Sequence, residues 1–266
     1  MCRVLFAVGN GEEMIPLVDA FVRASERDPY KEARGKKPYH GDGWGYVLVT
    51  GGSARHYRSV RPVFVENRAV EVLKSSLEGF TVLMMHSRAA SQGDKSLINV
   101  QPFAFTTRRG FSFWLYHNGD LKKDKIIEMA EFEERDLENV SDSYTMGAYM
   151  CRRLASYEPE ELLTHYSRMM GATNTSLNTG TLFLGPKGEM AGFVTAYSRP
   201  EHIMNPKNWD YVRQITVQRK DFFAVASSTL ELYLNLEWKP VVNGTAFYLN
   251  IDPEGEEFEV ETLTMG

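Results

Sequence analysis

The sequence predicts an α+β fold layered helix–sheet–sheet–helix. Apolar, strand-like runs open the chain and recur as far as His117. A block of amphipathic helical patterns follows. Beyond Asn174 the chain returns to short, β-rich segments. Strands, then helices, then strands describe sheets covered by helices rather than alternating βαβ units. The chain has 266 residues, of which 43% are hydrophobic, enough for a sizeable core. No Pro/Gly-rich linker divides it, so residues 1–266 read as one domain.

The elements follow in chain order. Residues 2–8 are a buried strand. In "EEMIPLVDAFVRASER", Met14, Val18, Phe21, Val22 and Ser25 recur at helical spacing. "DPYKEARGKKPYHGDG" is polar and broken by Pro and Gly, a loop. "WGYVLVT" and "ARHYRSV" pair as strands across "GG". "VENRAVEVLKSSL" is a helix. "FTVLMMHS" has no polar face, so both its sides are covered. Residues 88–100 form a loop, and "FSFWLYH" is a strand ending at "NGDL". Among the helices that follow, the strongest begins near "SDSYTMGAYMCRRLA", with Ser141 or Asp142 as N-cap; "EPEELLTHYSRMM" is another. "GTLFLG", "EMAGFVTAY", "VRQITVQ", "FFAVASS", "GTAFYLNI" and "EFEVETL" supply the late strands.

Composition excludes several function classes. A net charge of -5 with short, isolated basic stretches leaves no nucleic-acid footprint. The apolar runs fall far below the ~18–20 residues of a membrane span, and no signal peptide is read. Two cysteines make no disulfide framework and suit a reducing cytoplasm. There are no repeats and no low-complexity segment.

Five stretches could carry chemistry. Cys2 follows the initiator methionine, which is usually trimmed before a small residue. Its own α-amine, with a pKa of about 7.7–8.0, could then act as base for its thiol, with a pKa of about 8.5. The competing reading is a buried strand cysteine, and Cys151 on its amphipathic helix reads as core. Arg88 emerges at the end of an all-apolar strand, where its guanidinium fork suits a carboxylate. The Ala-Ala-Ser-Gln-Gly after it suits a lid; a solvated surface arginine is the alternative. Asn118 and Gly119 mark either a hairpin turn or a side-chain NH₂ and an open backbone N–H facing an oxyanion. Asp142 either caps a helix or meets a substrate ammonium. "YHGDGWGYV" lacks the spacing of a phosphate loop, and His40, Asp42, His86 and His117 match no metal motif.

Taken in order, "MCRVLFA", "HGDGWGYV", "HSRAAS", "NVQPF", "HNGDL" and "SDS" resemble the class II glutamine amidotransferases of the N-terminal-nucleophile (Ntn) hydrolase superfamily. "HGDGWG" and the compact length are most like its stand-alone branch, and "AVASS" is similar to one of its late strands. The resemblance implies a four-layer αββα sandwich of two mostly antiparallel sheets. It implies Cys2 as nucleophile once Met1 is removed, Arg88 for the α-carboxylate of glutamine and Asp142 for its α-ammonium. Asn118 and Gly119 would form the oxyanion hole, and Ser91 stands where the family often has a Thr or Ser beside the substrate. The implied reaction is attack on the γ-amide, release of ammonia and hydrolysis of a glutamyl thioester, with no cofactor and no metal. Gln101 replaces a frequent His before Pro-Phe, and Tyr144 replaces a common Glu after the aspartate motif. No synthase domain follows, so the ammonia would pass to a separate synthase subunit or be released. Two further readings remain open: a hydrolase of a larger γ-glutamyl amide, and a non-catalytic interaction or regulatory domain that keeps the fold.

Overall fold

The computed structural model describes residues 1–133 and 137–266. The strands are β1 (Arg3–Asn10), β2 (Trp44–Thr50), β3 (Ser53–Ser59), β4 (Phe80–Ser87), β5 (Phe103–Thr106), β6 (Ser112–Leu121), β7 (Thr173–Leu184), β8 (Met190–Ala196), β9 (Gln214–Gln218), β10 (Phe222–Ser227), β11 (Lys239–Pro240), β12 (Thr245–Asp252) and β13 (Glu257–Thr264). They form a seven-stranded sheet, β11-β9-β10-β1-β4-β2-β3, and a six-stranded sheet, β13-β12-β8-β7-β6-β5. Every paired neighbour among the described residues is antiparallel.

Strand alternation builds the layers. In β1, Val4, Phe6 and Val8 point between the sheets, while Leu5 and Ala7 point to the opposite face. Helices α1 (Ile15–Glu26) and α3 (Asn67–Lys74) cover that outer face with Leu17, Val18, Phe21, Val70 and Leu73. On the second sheet, α4 (Lys123–Ala130), α5 (Asp142–Arg153) and α6 (Pro159–Ala172) pack Ile126, Met146, Tyr149, Leu162 and Tyr166 against Phe113, Leu115 and Phe183. Between the sheets, Val4, Phe6, Met84 and Val225 meet Tyr116, Leu182, Val194 and Leu249. The approach is close: a Cβ on Gly192 would lie 2.8 Å from the tip of Phe6. The molecule is therefore the expected αββα sandwich of two antiparallel sheets. Among the described residues no helix is long and apolar enough to cross a membrane.

Several details depart from the sequence reading. The loop before β2 contains a short helix, α2 (Pro29–Glu32), and two more, α7 (Pro200–Ile203) and α8 (Pro206–Val212), precede β9. β5 forms a hairpin with β6, and β7 begins at Thr173. Most important for the site, β6 does not stop at Asn118-Gly119 but runs on to Leu121, with a register shift against β7 between Gly119 and Leu121. The β2–β3 turn is as read: Gly51 and Gly52 both take positive φ, 53° and 70°, as a two-residue hairpin with matched twist requires. At α5, Ser141 is the cap, its hydroxyl accepting from the Tyr144 N–H at 3.2 Å, and Asp142 is the first helical residue.

His86 shares the inward parity of Val82 and Met84 on β4, and both of its ring nitrogens are buried without a hydrogen-bond partner among the described residues. Burial, aided by the Arg88 charge, pushes its pKa down to about 3. A histidine that resists protonation when folded binds fewer protons than in the unfolded chain. Its contribution is then complete above about 6.5 and declines as pH falls toward about 3. His86→Leu is expected to flatten the acid-side loss of stability by up to about 1.4 kcal/mol per pH unit between roughly pH 6 and 4. Urea denaturation at stepped pH measures this, and parallel curves for the two proteins would refute it.

Candidate active site

The site lies where β1 and β4 end beside β6 of the other sheet. Arg3 pairs with Ser87, which sets Cys2 against the residues that follow β4. The Ala89 N–H donates to the Cys2 sulfur at 3.4 Å, and the thiol faces the Ala89 carbonyl at 3.8 Å. The Cys2 nitrogen donates to Asn118 Oδ1 at 2.7 Å, a bond that joins the two sheets. Met1 precedes it, so this nitrogen is a peptide amide. The Met1 carbonyl accepts from the Tyr211 hydroxyl at 2.6 Å, and its thioether sulfur lies 3.2 Å from Ser176 Oγ. Burial lowers the pKa of the Met1 α-amine.

Asn118 is fixed by what its carbonyl does. With Oδ1 taken by Cys2, Nδ2 points the other way and has no hydrogen-bond partner among the described residues. Gly119 is enforced sterically, since a Cβ there would sit 1.7 Å from the Ser176 carbonyl oxygen and 2.6 Å from His117 Nε2. His117 is held from three directions. Its N–H donates to Gln101 Oε1 at 2.6 Å, Nε2 lies 3.0 Å from the Ser176 carbonyl, and Nδ1 lies 2.9 Å from Ser143 Oγ. The carbonyl can only accept, so Nε2 carries a proton. Gln101 thus supports the strand bearing Asn118 and Gly119.

Arg88 is buried, and its guanidinium donates to the loop after it: Nη1 to the Asp94 carbonyl at 2.9 Å, Nη2 to those of Gln92 at 2.8 Å and Gly93 at 3.1 Å. The loop is tied down elsewhere by the Ala90 N–H and Lys95, both on the Asp42 carboxylate. Gln92 Nε2 reaches β6, donating to Asp120 Oδ1 at 2.7 Å and to the Leu121 carbonyl at 3.1 Å. Asp142 is buried, with Oδ2 accepting from the Leu121 N–H at 2.8 Å. Burial lifts its carboxyl above the usual range, against the opposing pull of His117 and the Leu121 bond. The structure therefore gathers Cys2, Arg88, Asn118, Gly119 and Asp142 around one loop. Ser91 is not brought in; it is exposed and makes no hydrogen bond among the described residues.

Beneath Cys2 is a network that the sequence reading missed. Asp28 Oδ2 lies 2.9 Å from Arg3 Nε and 2.8 Å from His40 Nε2, and all three side chains are fully buried. Burial alone would raise the Asp28 carboxyl, but Arg3 and His40 outweigh it and hold it well below the usual range. Burial pushes His40 down to about 3, so it is neutral and donates from Nε2 to Asp28. Arg3 also donates to the Tyr211 carbonyl at 3.2 Å and lies 4.4 Å from the Tyr211 ring centroid, fixing the residue whose hydroxyl holds Met1. The available signal was an arginine at the start of a buried, mostly apolar strand, since a buried charge demands a partner. Among the described residues, no three His, Cys, Asp or Glu side chains are grouped to hold a metal. Cys151 is half-buried on α5 and its thiol faces the Thr106 carbonyl at 3.3 Å, away from the groups above.

The Cys2 thiol, the Asn118 amide and Gly119 N–H, and the separate Arg88 and Asp142 charges can serve amide chemistry on an α-amino acid. Solved structures share the fold. The glutamine phosphoribosylpyrophosphate amidotransferase from B. subtilis, complexed with ADP and GMP, matches with TM-score 0.61 at 17% identity over 100% of this chain and 50% of that one. The allosteric regulatory enzyme of purine biosynthesis matches with TM-score 0.62 at 17% identity, over 99% and 49%. A glutamine aminotransferase class-II domain protein from Silicibacter pomeroyi matches with TM-score 0.53 at 13% identity, over 100% of both chains. The chain thus spans about half the length of the first two. No curated protein matches it significantly. The family model of class-II glutamine amidotransferases matches residues 28–182, which begin after Cys2 and hold Arg88, Asn118, Gly119 and Asp142. That span is more than half of the sequence, and the chain belongs to this family.

Proposed function

We propose that the protein is a glutamine amidohydrolase whose whole chain acts as one domain, with Cys2 as nucleophile after removal of Met1. The observation that carries the proposal is the Cys2 nitrogen held 2.7 Å from Asn118 Oδ1. That bond fixes the nucleophile and turns the Asn118 amide group toward the space beside it. With Met1 gone, the nitrogen becomes an α-amine able to take the thiol proton, directly or through a water. The sulfur attacks the side-chain carbonyl carbon of glutamine. The negative charge that forms on the oxygen is met by Asn118 Nδ2 and the Gly119 N–H. The tetrahedral adduct collapses, the amine returns its proton to the leaving nitrogen, and ammonia departs. Water then hydrolyses the thioester to glutamate and restores the thiol.

Arg88 and Asp142 supply opposite charges for the two ends of the α-amino acid. For Arg88 to accept a carboxylate, the loop carbonyls on its guanidinium must let go. We place the ammonia in the hands of a separate synthase subunit. Two unpaired cysteines suit a reducing setting, which we take to be the cytoplasm.

Two outcomes are expected. Processed wild-type protein releases ammonia from L-glutamine and Cys2→Ala does not, while its melting temperature stays close to wild type; N-terminal mass spectrometry verifies the processing. Equal ammonia release from both proteins would end the proposal. Asn118→Ala, which removes one oxyanion donor, should lower kcat about 10²–10³-fold. A loss confined to KM would mean that Asn118 binds substrate without stabilising the transition state.

A further inference from the structure

A cavity of about 780 Å³ lies at the end of α5 remote from the cleft, between the last turn of that helix and the turn that joins β5 to β6. Its charges come from both walls. Arg108 and Arg109 are consecutive residues of the turn, and Arg152 and Arg153 are consecutive residues of α5. Four guanidinium groups therefore line one space in a chain of net charge -5, and no carboxylate among the described residues lines it with them. Arg153 is spent on its surroundings, 2.9 Å from the Glu131 carboxylate and donating to the Met129 carbonyl at 3.1 Å. Arg152 lies over the Phe132 ring, 5.1 Å from its centroid. Arg108, Arg109 and Arg152 make no hydrogen bond or ion pair with any described residue.

The two walls are held together. A Cβ on Gly147 of α5 would sit 2.2 Å from the Phe105 ring, so helix and hairpin interlock there. The Cys151 thiol faces the Thr106 carbonyl at 3.3 Å across the same seam. Thr107 closes the turn, its N–H and its hydroxyl both donating to the Phe111 carbonyl, at 2.9 and 3.0 Å. Local structure does not ask for so many cations. Basic residues in a last turn complement the helix dipole, which accounts for Arg152 and Arg153. Turns favour Gly, Pro, Asn, Asp and Ser, so paired arginines at 108 and 109 answer no need of the hairpin.

A lone carboxylate engages one guanidinium fork, whereas three open forks on a shared space match an anion with several oxygens and more than one charge. Phe105, Ala148 and Leu154 leave an apolar side for an organic remainder, and the volume falls within the roughly 300–1,000 Å³ of small-molecule sites. We infer that this cavity binds a diphosphoryl compound, with Arg108, Arg109 and Arg152 on the phosphoryl oxygens. The site is separate from the Cys2 cleft, since Asp142 opens α5 and these arginines lie at its other end. The inference therefore stands apart from glutamine chemistry.

The test uses the Cys2→Ala protein, in which Cys151 is the one remaining thiol. Burial raises the pKa of that thiol, so labelling by uncharged iodoacetamide is timed at one fixed alkaline pH. Inorganic pyrophosphate is the probe, with sodium chloride at matched ionic strength as the reference. Pyrophosphate should slow Cys151 labelling saturably and bind at one site by calorimetry, and orthophosphate should bind about tenfold more weakly. Replacing Arg108 and Arg109 together by Gln should weaken pyrophosphate about tenfold or more and remove the protection. Arg152→Gln should weaken it in the same direction, whereas Arg55→Gln, an exposed change on β3, should leave it unaltered. Melting temperatures close to that of the parent verify folding of each variant. Slowing by sodium chloride equal to that by pyrophosphate would reduce the effect to screening and overturn the site. Undiminished affinity in both the double variant and Arg152→Gln, or binding without protection of Cys151, would also overturn it. Equal affinity for orthophosphate would overturn the diphosphoryl assignment.

Discussion

Every distance at the cleft depends on the two sheets being locked in one relative position. The lock is the apolar layer between them, where Val4, Phe6 and Val8 of β1 mesh with side chains of β6, β7, β8 and β12. Such a layer is close-packed, and Phe6 over Gly192 leaves no room even for a methyl group. Sliding one sheet against the other would expose large apolar side chains, each contributing roughly 1.5–3 kcal/mol by burial. The bond between the Cys2 nitrogen and Asn118 contributes little to this lock by itself, since a typical net hydrogen bond is worth about 1 kcal/mol. It is a consequence of the register, and a rigid register is what lets a side chain on one sheet hold Cys2 on the other.

The buried charges beneath Cys2 answer a second constraint. Arg3 follows Cys2 in a strand whose other buried side chains are apolar, and a lone guanidinium there would be strongly destabilising. Asp28 neutralises it, and the Tyr211 carbonyl and ring take up the rest of the fork. Asp28 is in turn satisfied by His40, Thr229 and the Lys31 N–H. Replacing such a cluster by apolar residues is often neutral or stabilising, so its presence is not explained by stability. What it does is geometric. It ties the start of β1 to α2, to the residue before Gly41 and to α8, so the loops that wall the cleft are fixed to the strand that carries Cys2.

The sequence made the layers legible because burial leaves a period. β1, β2, β4 and α5 each show it: alternation or a wholly apolar run for strands, helical spacing for Met146, Tyr149 and Met150. Where pairing alone makes the element, no period was visible. β5 has four residues and exists only because β6 lies beside it, and the passage of β6 through Asn118-Gly119 contradicts the turn preference of that dipeptide. Tertiary context prevailed there because Gly119 must clear the Ser176 carbonyl, a contact that no local window contains. The chemistry-bearing residues were readable as motifs in order. Their partners Gln101, Asp28 and Tyr211 were not, since each meets its target only after the chain has folded. Ser91 shows the reverse limit, for its place in a motif says nothing about which way an exposed loop turns it.

The loop from Arg88 to Lys95 then takes on a definite energetic meaning. Arg88 is buried and must have acceptors, and three carbonyls of its own loop provide them. The Asp120 carboxylate must have a donor, and Gln92 provides it. Without those contacts the empty cleft would hold an unpaired cation a short distance from unpaired carboxylates, each penalised by desolvation. Neutral backbone and amide groups remove that penalty without binding so tightly that a charged ligand could not replace them. A substrate gains only the difference between its own contacts and those it displaces, so part of its affinity is spent on opening the loop. A ligand with only one of the two charges relieves one end and leaves the other to the loop. Under the proposed function, discrimination for a complete α-amino acid would follow from that balance, whatever group the side-chain carbonyl carries as its leaving amine.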